Sequence, residues 1–202
     1  MAIRAGASAL GLVSAMPSGP GVIDEDTIAQ VAAAVPPSVA TFLLTSLQDT
    51  ATIAEQQRRL RTTTVQICDR VARGTYAELR RALPGIGLVQ VVHVTGPEAV
   101  EEAVQVAPEV DALLLDSGNQ SLGVKELGGT GRRHDWRLSR RIREAVAVPI
   151  FLAGGLGPSN VTEAIAEVGP FGLDICSGVR TSGHLDPSKL EAFFAPIRTT
   201  RA

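Results

Sequence analysis

Short apolar runs alternate with helical stretches along the whole of this chain, and that alternation limits the fold more than any other feature. The expected strands are Ala9–Val13, Val39–Leu44, Thr64–Cys68, Leu88–Val94, Ala112–Asp116, Pro149–Ala153 and Gly172–Cys176. Helical patterns fill the intervals: Asp24–Val35, Thr50–Leu60, Tyr76–Leu83, Pro97–Val106, Asp135–Ala145, Pro158–Val168 and, at the end, Pro187–Ile197. Most of the strands are apolar at every position. An alternating strand covers one buried face, whereas a continuous one is buried on both, as in a parallel sheet sheathed by helices. Strand–helix alternation leads to the same class, because parallel neighbours need a crossover connection.

Composition narrows the function. The chain has 202 residues, 45% of them hydrophobic and 20% charged, which is enough for one large core and a single domain spanning residues 1–202. A net charge of -2 gives no basic face for nucleic acid, and 3% aromatics give no stacking platform for single strands. No apolar run is long enough to span a bilayer, and Met1-Ala-Ile-Arg-Ala-Gly6 has no apolar signal core. Two cysteines fit a reducing compartment, so a cytoplasmic location is expected.

Seven strands are one short of the eight that close a parallel β/α barrel. Met1–Ala5 cannot be the eighth, because too few residues separate it from Ala9 for a crossover. Ala2–Ala5 reads instead as the end of a helix, with Gly6 as its C-cap. The expectation is an α/β (β/α)8 barrel, of the TIM type, whose first strand is absent from this chain. Ala9–Val13 and Gly172–Cys176 would then be unpaired edges, which predicts a homodimer pairing across the gap or a less stable chain.

The last two strands run into small residues. Leu152-Ala-Gly-Gly-Leu-Gly157 and Asp174-Ile-Cys-Ser-Gly178 could bring backbone N–H groups together around a phosphate, a recurring use of the final loops of such barrels. Gly154, Gly155, Ser177 and Gly178 form the candidate cradle, aided by the N-terminus of the helix expected from Pro158; tight βα turns are the alternative reading of the glycines. Asp116 closes an apolar strand at the C-terminal face, where its neighbours would raise its pKa. It reads equally as a cap on the next turn. The segment Gly118–His134 is long for a βα loop and could act as a lid. Arg132, Arg133 and His134 at its end read as solvated, and His93 as a packed interior residue.

These motifs resemble the phosphoribosylanthranilate isomerase family, (β/α)8-barrel enzymes of tryptophan biosynthesis. The resemblance rests on Ala5-Gly-Ala-Ser-Ala-Leu-Gly-Leu12, Val65-Gln66, Leu113-Leu-Leu-Asp-Ser117, Gly128-Gly-Thr-Gly131 with Asp135-Trp136, Leu152–Val161 and Asp174–Val179, in the family's order and spacing. It implies an Amadori rearrangement of a phosphorylated sugar that needs no cofactor and no metal. Asp116 would be the general acid. Gly129, in the loop flanking the substrate, and Asp174 would contact the ligand with the phosphate cradle. The departures are specific. The family's first strand, with its catalytic cysteine in Lys-Ile-Cys-Gly, has no counterpart. Its Ser-Pro-Arg-like turn, close to the substrate's acidic groups, is Ser18-Gly-Pro-Gly21 here, and Val-Gln-Leu-His-Gly is Val65-Gln-Ile-Cys-Asp69. Its Ser-Gly-Val-Glu is Ser177-Gly-Val-Arg180. Cys176, on the side of Asp174 by period-two alternation, could replace the base as a thiolate, or could be inert and buried like Cys68. The chain as given is expected to be a poor catalyst. Either its start is placed too late, or it is a diverged paralogue that binds a phosphosugar without turnover.

Overall fold

The apolar runs pair in the order in which they occur. In the computed structural model, which describes residues 1–200, the strands are β1 (Ala9–Val13), β2 (Ala40–Thr45), β3 (Thr64–Ile67), β4 (Gly87–His93), β5 (Ala112–Asp116), β6 (Ile150–Leu152) and β7 (Gly172–Leu173). Each lies parallel to the next in one curled seven-stranded sheet. Helices α1 (Ala2–Ala5), α2 (Glu25–Ala34), α3 (Thr50–Leu60), α4 (Tyr76–Ala82), α5 (Glu98–Val106), α6 (Trp136–Ala145), α7 (Val161–Val168) and α8 (Pro187–Thr200) cover its outside.

Local chemistry sets several helix starts. Asp24 accepts from the Thr27 backbone N–H at 2.8 Å, and Asp135 accepts from that of Arg137 at 3.0 Å. Thr75 and Glu78 form a reciprocal capping box on α4. Such caps satisfy orphan N–H groups and are each worth about 1 kcal/mol. Gly6 ends α1 with φ 118°, a conformation that favours glycine.

Alternate residues of each strand enter two different cores. Outward-facing Val65, Ile67, Leu88, Leu113 and Leu152 pack with Ile53, Leu79, Ile142 and Phe193 of the helices. Inward-facing Leu44, Val91, Leu114 and Ala153 meet inside the curl, above an edge-to-face pair of Phe42 and Phe151 with centroids 5.9 Å apart. Burial on both faces is why the strands carry so few polar positions. Each such leucine contributes about 1.5–3 kcal/mol.

Among the described residues β1 pairs with β2 alone and β7 with β6 alone, so the sheet has two edges. The helix layer nevertheless closes over the gap. A Cβ on Gly6 would lie 3.5 Å from Phe194, and Arg198 Nη1 donates to Ala5 O at 3.3 Å.

Three expected elements differ by three residues, and one of them, α8, simply runs on to Thr200 rather than Ile197. Helix α7 begins at Val161, not Pro158, because the Asn160 side chain competes for local backbone. It accepts from Gly157 N at 2.9 Å and donates to Gly155 O at 3.0 Å, which holds an Asx-type turn. Strand β7 stops at Leu173, not Cys176. Asp174 N still bonds Leu152 O at 2.8 Å, but the chain then turns into a 3-10 turn at Ser177–Val179. Beyond it a hairpin, β8 (Arg180–Thr181) and β9 (His184–Leu185), folds on a Ser182-Gly183 turn with φ 49° and 80°.

Candidate active site

The C-terminal ends of the strands surround a cavity of about 170 Å³. Leu44, Val91 and Leu114 line its floor. A second cleft of about 460 Å³ lies beside it. Its walls are held by ion pairs, Lys125–Asp69 at 2.6 Å and Arg70–Glu102 at 2.8 Å, and it lacks the glycine turns.

Two carboxyl groups face the first cavity. Asp116, at the end of β5, is 6% exposed. Burial pushes its carboxyl up, against the opposing pull of the Ser117 N–H and hydroxyl, His93 and Arg132. Asp174, half-buried just beyond β7, is pushed up to about 6 by burial and then by Asp116. Two carboxylates in one cavity cannot both ionise freely, so each raises the cost of charging the other.

The turns after β6 and β7 meet backbone to backbone. A Cβ on Gly178 would stand 2.1 Å from Leu156 O, so only glycine permits the contact. Gly154 and Gly155, with φ 80° and 63°, hold the left-handed region on the same rim. Ser177 lies beside them on the cavity wall, near Gly131. Gly154, Gly155 and Ser177 line the cavity with Asp116 and Asp174, while Gly178 packs against the Leu156 backbone next to them.

The long loop closes over this rim from the other side. Its outer part, from Asn119 to Glu126, is a closed excursion, bonded N to O in both directions at 2.8 and 3.0 Å. Gly128 packs so closely that a Cβ would lie 3.0 Å from Asp116 Oδ2, and one on Gly129 would lie 2.5 Å from Pro20. Ser18 donates to Lys125 O at 2.7 Å, so the turn after β1 carries the loop. Thr130 and Ser117 join their hydroxyls at 2.8 Å.

Other side chains are placed more sharply than their sequence suggests. Arg132 pairs with Glu126. Arg133 stacks 3.5 Å above the Trp136 ring and pairs with Glu163 and Glu167. His134 is buried rather than solvated. Its Nε2 lies 2.6 Å from Ser139 Oγ, and burial pushes its pKa down to about 4, so it stays neutral. His93 is packed as expected, with Nε2 3.0 Å from Cys68 O. Cys68 is buried on the inner face, and burial pushes its thiol well up. Cys176 reaches the cavity wall although β7 ends before it. Burial raises its thiol too, with Arg180 pulling down and Asp174 pushing up. Arg180 and Leu185, from the hairpin, also line the cavity and were missed by the strand–helix reading. The Ser182-Gly183 dipeptide was the available signal for that hairpin.

Fold and site together define a parallel β/α barrel protein with a carboxyl-bearing cavity at the C-terminal ends of its strands. The family model described as N-(5'-phosphoribosyl)anthranilate (PRA) isomerase matches residues 2–196. A Haloferax volcanii protein named N-(5'-phosphoribosyl)anthranilate isomerase is 36% identical, over 98% of this chain and 86% of the relative. One of the same name from Methanocella arvoryzae is 31% identical, over 97% of this chain and 90% of the relative. The chain belongs to the PRA isomerase family. Its fold is that of a solved phosphoribosyl anthranilate isomerase in complex with reduced 1-(o-carboxyphenylamino)-1-deoxyribulose 5-phosphate, with a TM-score of 0.77, 24% identity and coverage of 98% of this chain and 91% of that one. No helix among the described residues is long and apolar enough to cross a membrane.

Proposed function

We propose that this chain catalyses the isomerisation of N-(5'-phosphoribosyl)anthranilate, an Amadori rearrangement of tryptophan biosynthesis. The Asp116 carboxylic acid gives its proton to the furanose ring oxygen as the C1–O bond breaks and the anthranilate nitrogen forms the C=N bond. A base then removes the proton from C2 to give an enol-amine, and protonation at C1 with loss of the C2 hydroxyl proton gives the ketose. Asp174, which lines the cavity and is ionised above about pH 6, is the more readily charged acceptor. Cys176 shares the wall, but burial disfavours its thiolate. The phosphate would sit on the rim formed by Gly154, Gly155, Ser177 and Gly178, with Gly129 over the sugar. The substrate's own nitrogen takes the electrons, so the reaction as written needs no cofactor.

One observation carries this reading: the backbone contact between Gly178 and Leu156, which joins two glycine turns on a cavity that also holds a buried Asp116. Loss of anthranilate-type fluorescence on adding substrate tests it. Turnover should be present in the wild-type chain and fall about 10²–10⁴-fold in Asp116→Asn. A second reading, a phosphosugar-binding paralogue without turnover, is favoured by the absence of a cation from the turn Ser18–Gly21. Tight ligand binding with no fluorescence change would establish it. The same proposal makes the chain one cytoplasmic domain, in keeping with two free cysteines. The edges of β1 and β7 favour a homodimer paired across the gap or, in its place, a chain of reduced stability.

A further inference from the structure

We infer that Arg180 is the residue that reads the substrate's benzoate carboxylate, an assignment that rests on the isomerase reading above. The cavity's charge inventory is the starting point. Its walls carry two carboxyl groups, Asp116 and Asp174, and among the described residues lining it Arg180 is the one lysine, arginine or histidine. A substrate with a phosphate and a carboxylate brings two anions into this space. The phosphate has the glycine turns. The carboxylate needs a counter-charge, and neighbouring cations are committed elsewhere: Arg132 to Glu126, Arg133 to Trp136 and Glu163, Lys125 to Asp69.

The guanidinium is held by its own hairpin, with the Cys176 thiol as a further neighbour. Nη1 donates to Gly183 O at 2.7 Å, within its own hairpin. Nε is buried and has no hydrogen-bond partner. A buried donor without an acceptor is costly, and a ligand acceptor would remove that cost. Nε and Nη2 form the side-on edge of a guanidinium, whose two parallel N–H groups match the two oxygens of a carboxylate. A lysine could not offer that pair.

The hairpin is braced for the purpose. Lys189 Nζ donates to Arg180 O at 2.7 Å, Thr181 Oγ1 donates to Asp186 at 2.6 Å, and Asp186 N bonds Val179 O at 2.9 Å. A donor fixed before binding loses little entropy when it meets its anion. Beside it the wall is apolar, with Leu185, Val13 and Met16 offering a surface for the ring that bears the carboxylate.

Isothermal titration calorimetry with two probes tests the assignment. One is reduced 1-(o-carboxyphenylamino)-1-deoxyribulose 5-phosphate. The other is the same compound with a plain phenyl ring. The wild-type chain should bind the carboxylate probe about 10- to 100-fold more tightly than the phenyl probe. Arg180→Gln should abolish that preference and leave the phenyl probe's affinity within about twofold. Arg180→Lys keeps the charge without the two-donor edge. It should cut the preference several-fold, and it supplies the same readout if the Gln variant does not fold. Equal weakening of both probes would make Arg180 only a brace of its hairpin, and an undiminished preference would remove it from recognition; either overturns the assignment alone. No binding of either probe to the wild-type chain overturns the isomerase reading and this one with it.

Discussion

Replacing Asp174 by asparagine should make the protein more stable at neutral pH while damaging its chemistry. Folding raises the Asp174 carboxyl from 3.8 to about 6, through burial first and Asp116 second. The folded chain therefore holds this proton more tightly than the unfolded one. Its favourable contribution is fully present below the unfolded value, 3.8, and is lost as pH rises through about 6. Above that, keeping a charge in the cavity costs about 3 kcal/mol, an order-of-magnitude figure at 1.36 kcal/mol per tenfold. Asparagine has the same shape, can still accept from the Ile175 backbone and never charges. Urea denaturation should show Asp174→Asn stabilised by about 3 kcal/mol at pH 8 and only about 1 kcal/mol at pH 4.5. In a chain of this size the first figure raises Tm by roughly 6–12 °C. A variant equally or less stable than wild type at pH 8, or stabilised by the same amount at both pH values, would refute the account of Asp174 as a carboxylate held in the cavity at a cost.

Three further outcomes follow from the geometry. Asp116→Asn should lose about 10²–10⁴-fold in turnover, followed by anthranilate-type fluorescence, while its circular dichroism stays that of the wild type. Gly178→Ala puts a methyl group 2.1 Å from Leu156 O; it should destabilise the fold by about 1–3 kcal/mol in urea titrations and weaken ribose 5-phosphate binding. Sedimentation velocity at micromolar concentration should show a dimer held by β1 and β7. A monomer at every concentration would count against edge pairing.

The fold was legible where local chemistry and two-sided burial decide it. β1, α3 and β5 occupy the expected residues, and Asp24 and Gly6 cap α2 and α1, because those signals lie within a few residues. What was not legible depends on contacts between distant segments. The end of β7 is set by the approach of Gly178 to Leu156, which no periodicity records. The start of α7 is set by one asparagine's choice of partners. His134 sits in a run of charged residues, so its burial could not be read from the neighbours, and it follows from Ser139 on the next helix. At the site, Asp116 and the glycine turns were visible because apolar strands end abruptly in them. Arg180 was visible only as a departure from the family pattern. Its meaning came from the hairpin that carries it.

The long loop is fastened unevenly. Arg133, sandwiched between the Trp136 ring and two glutamates of α7, anchors its tail like a bolted hinge. Gly128, Gly129 and Gly131 take positive φ of 143°, 68° and 69° and let this stretch press against Asp116 and Pro20. The tail of the loop is thereby tied to α6 and α7, while its glycine stretch is the part that faces the cavity.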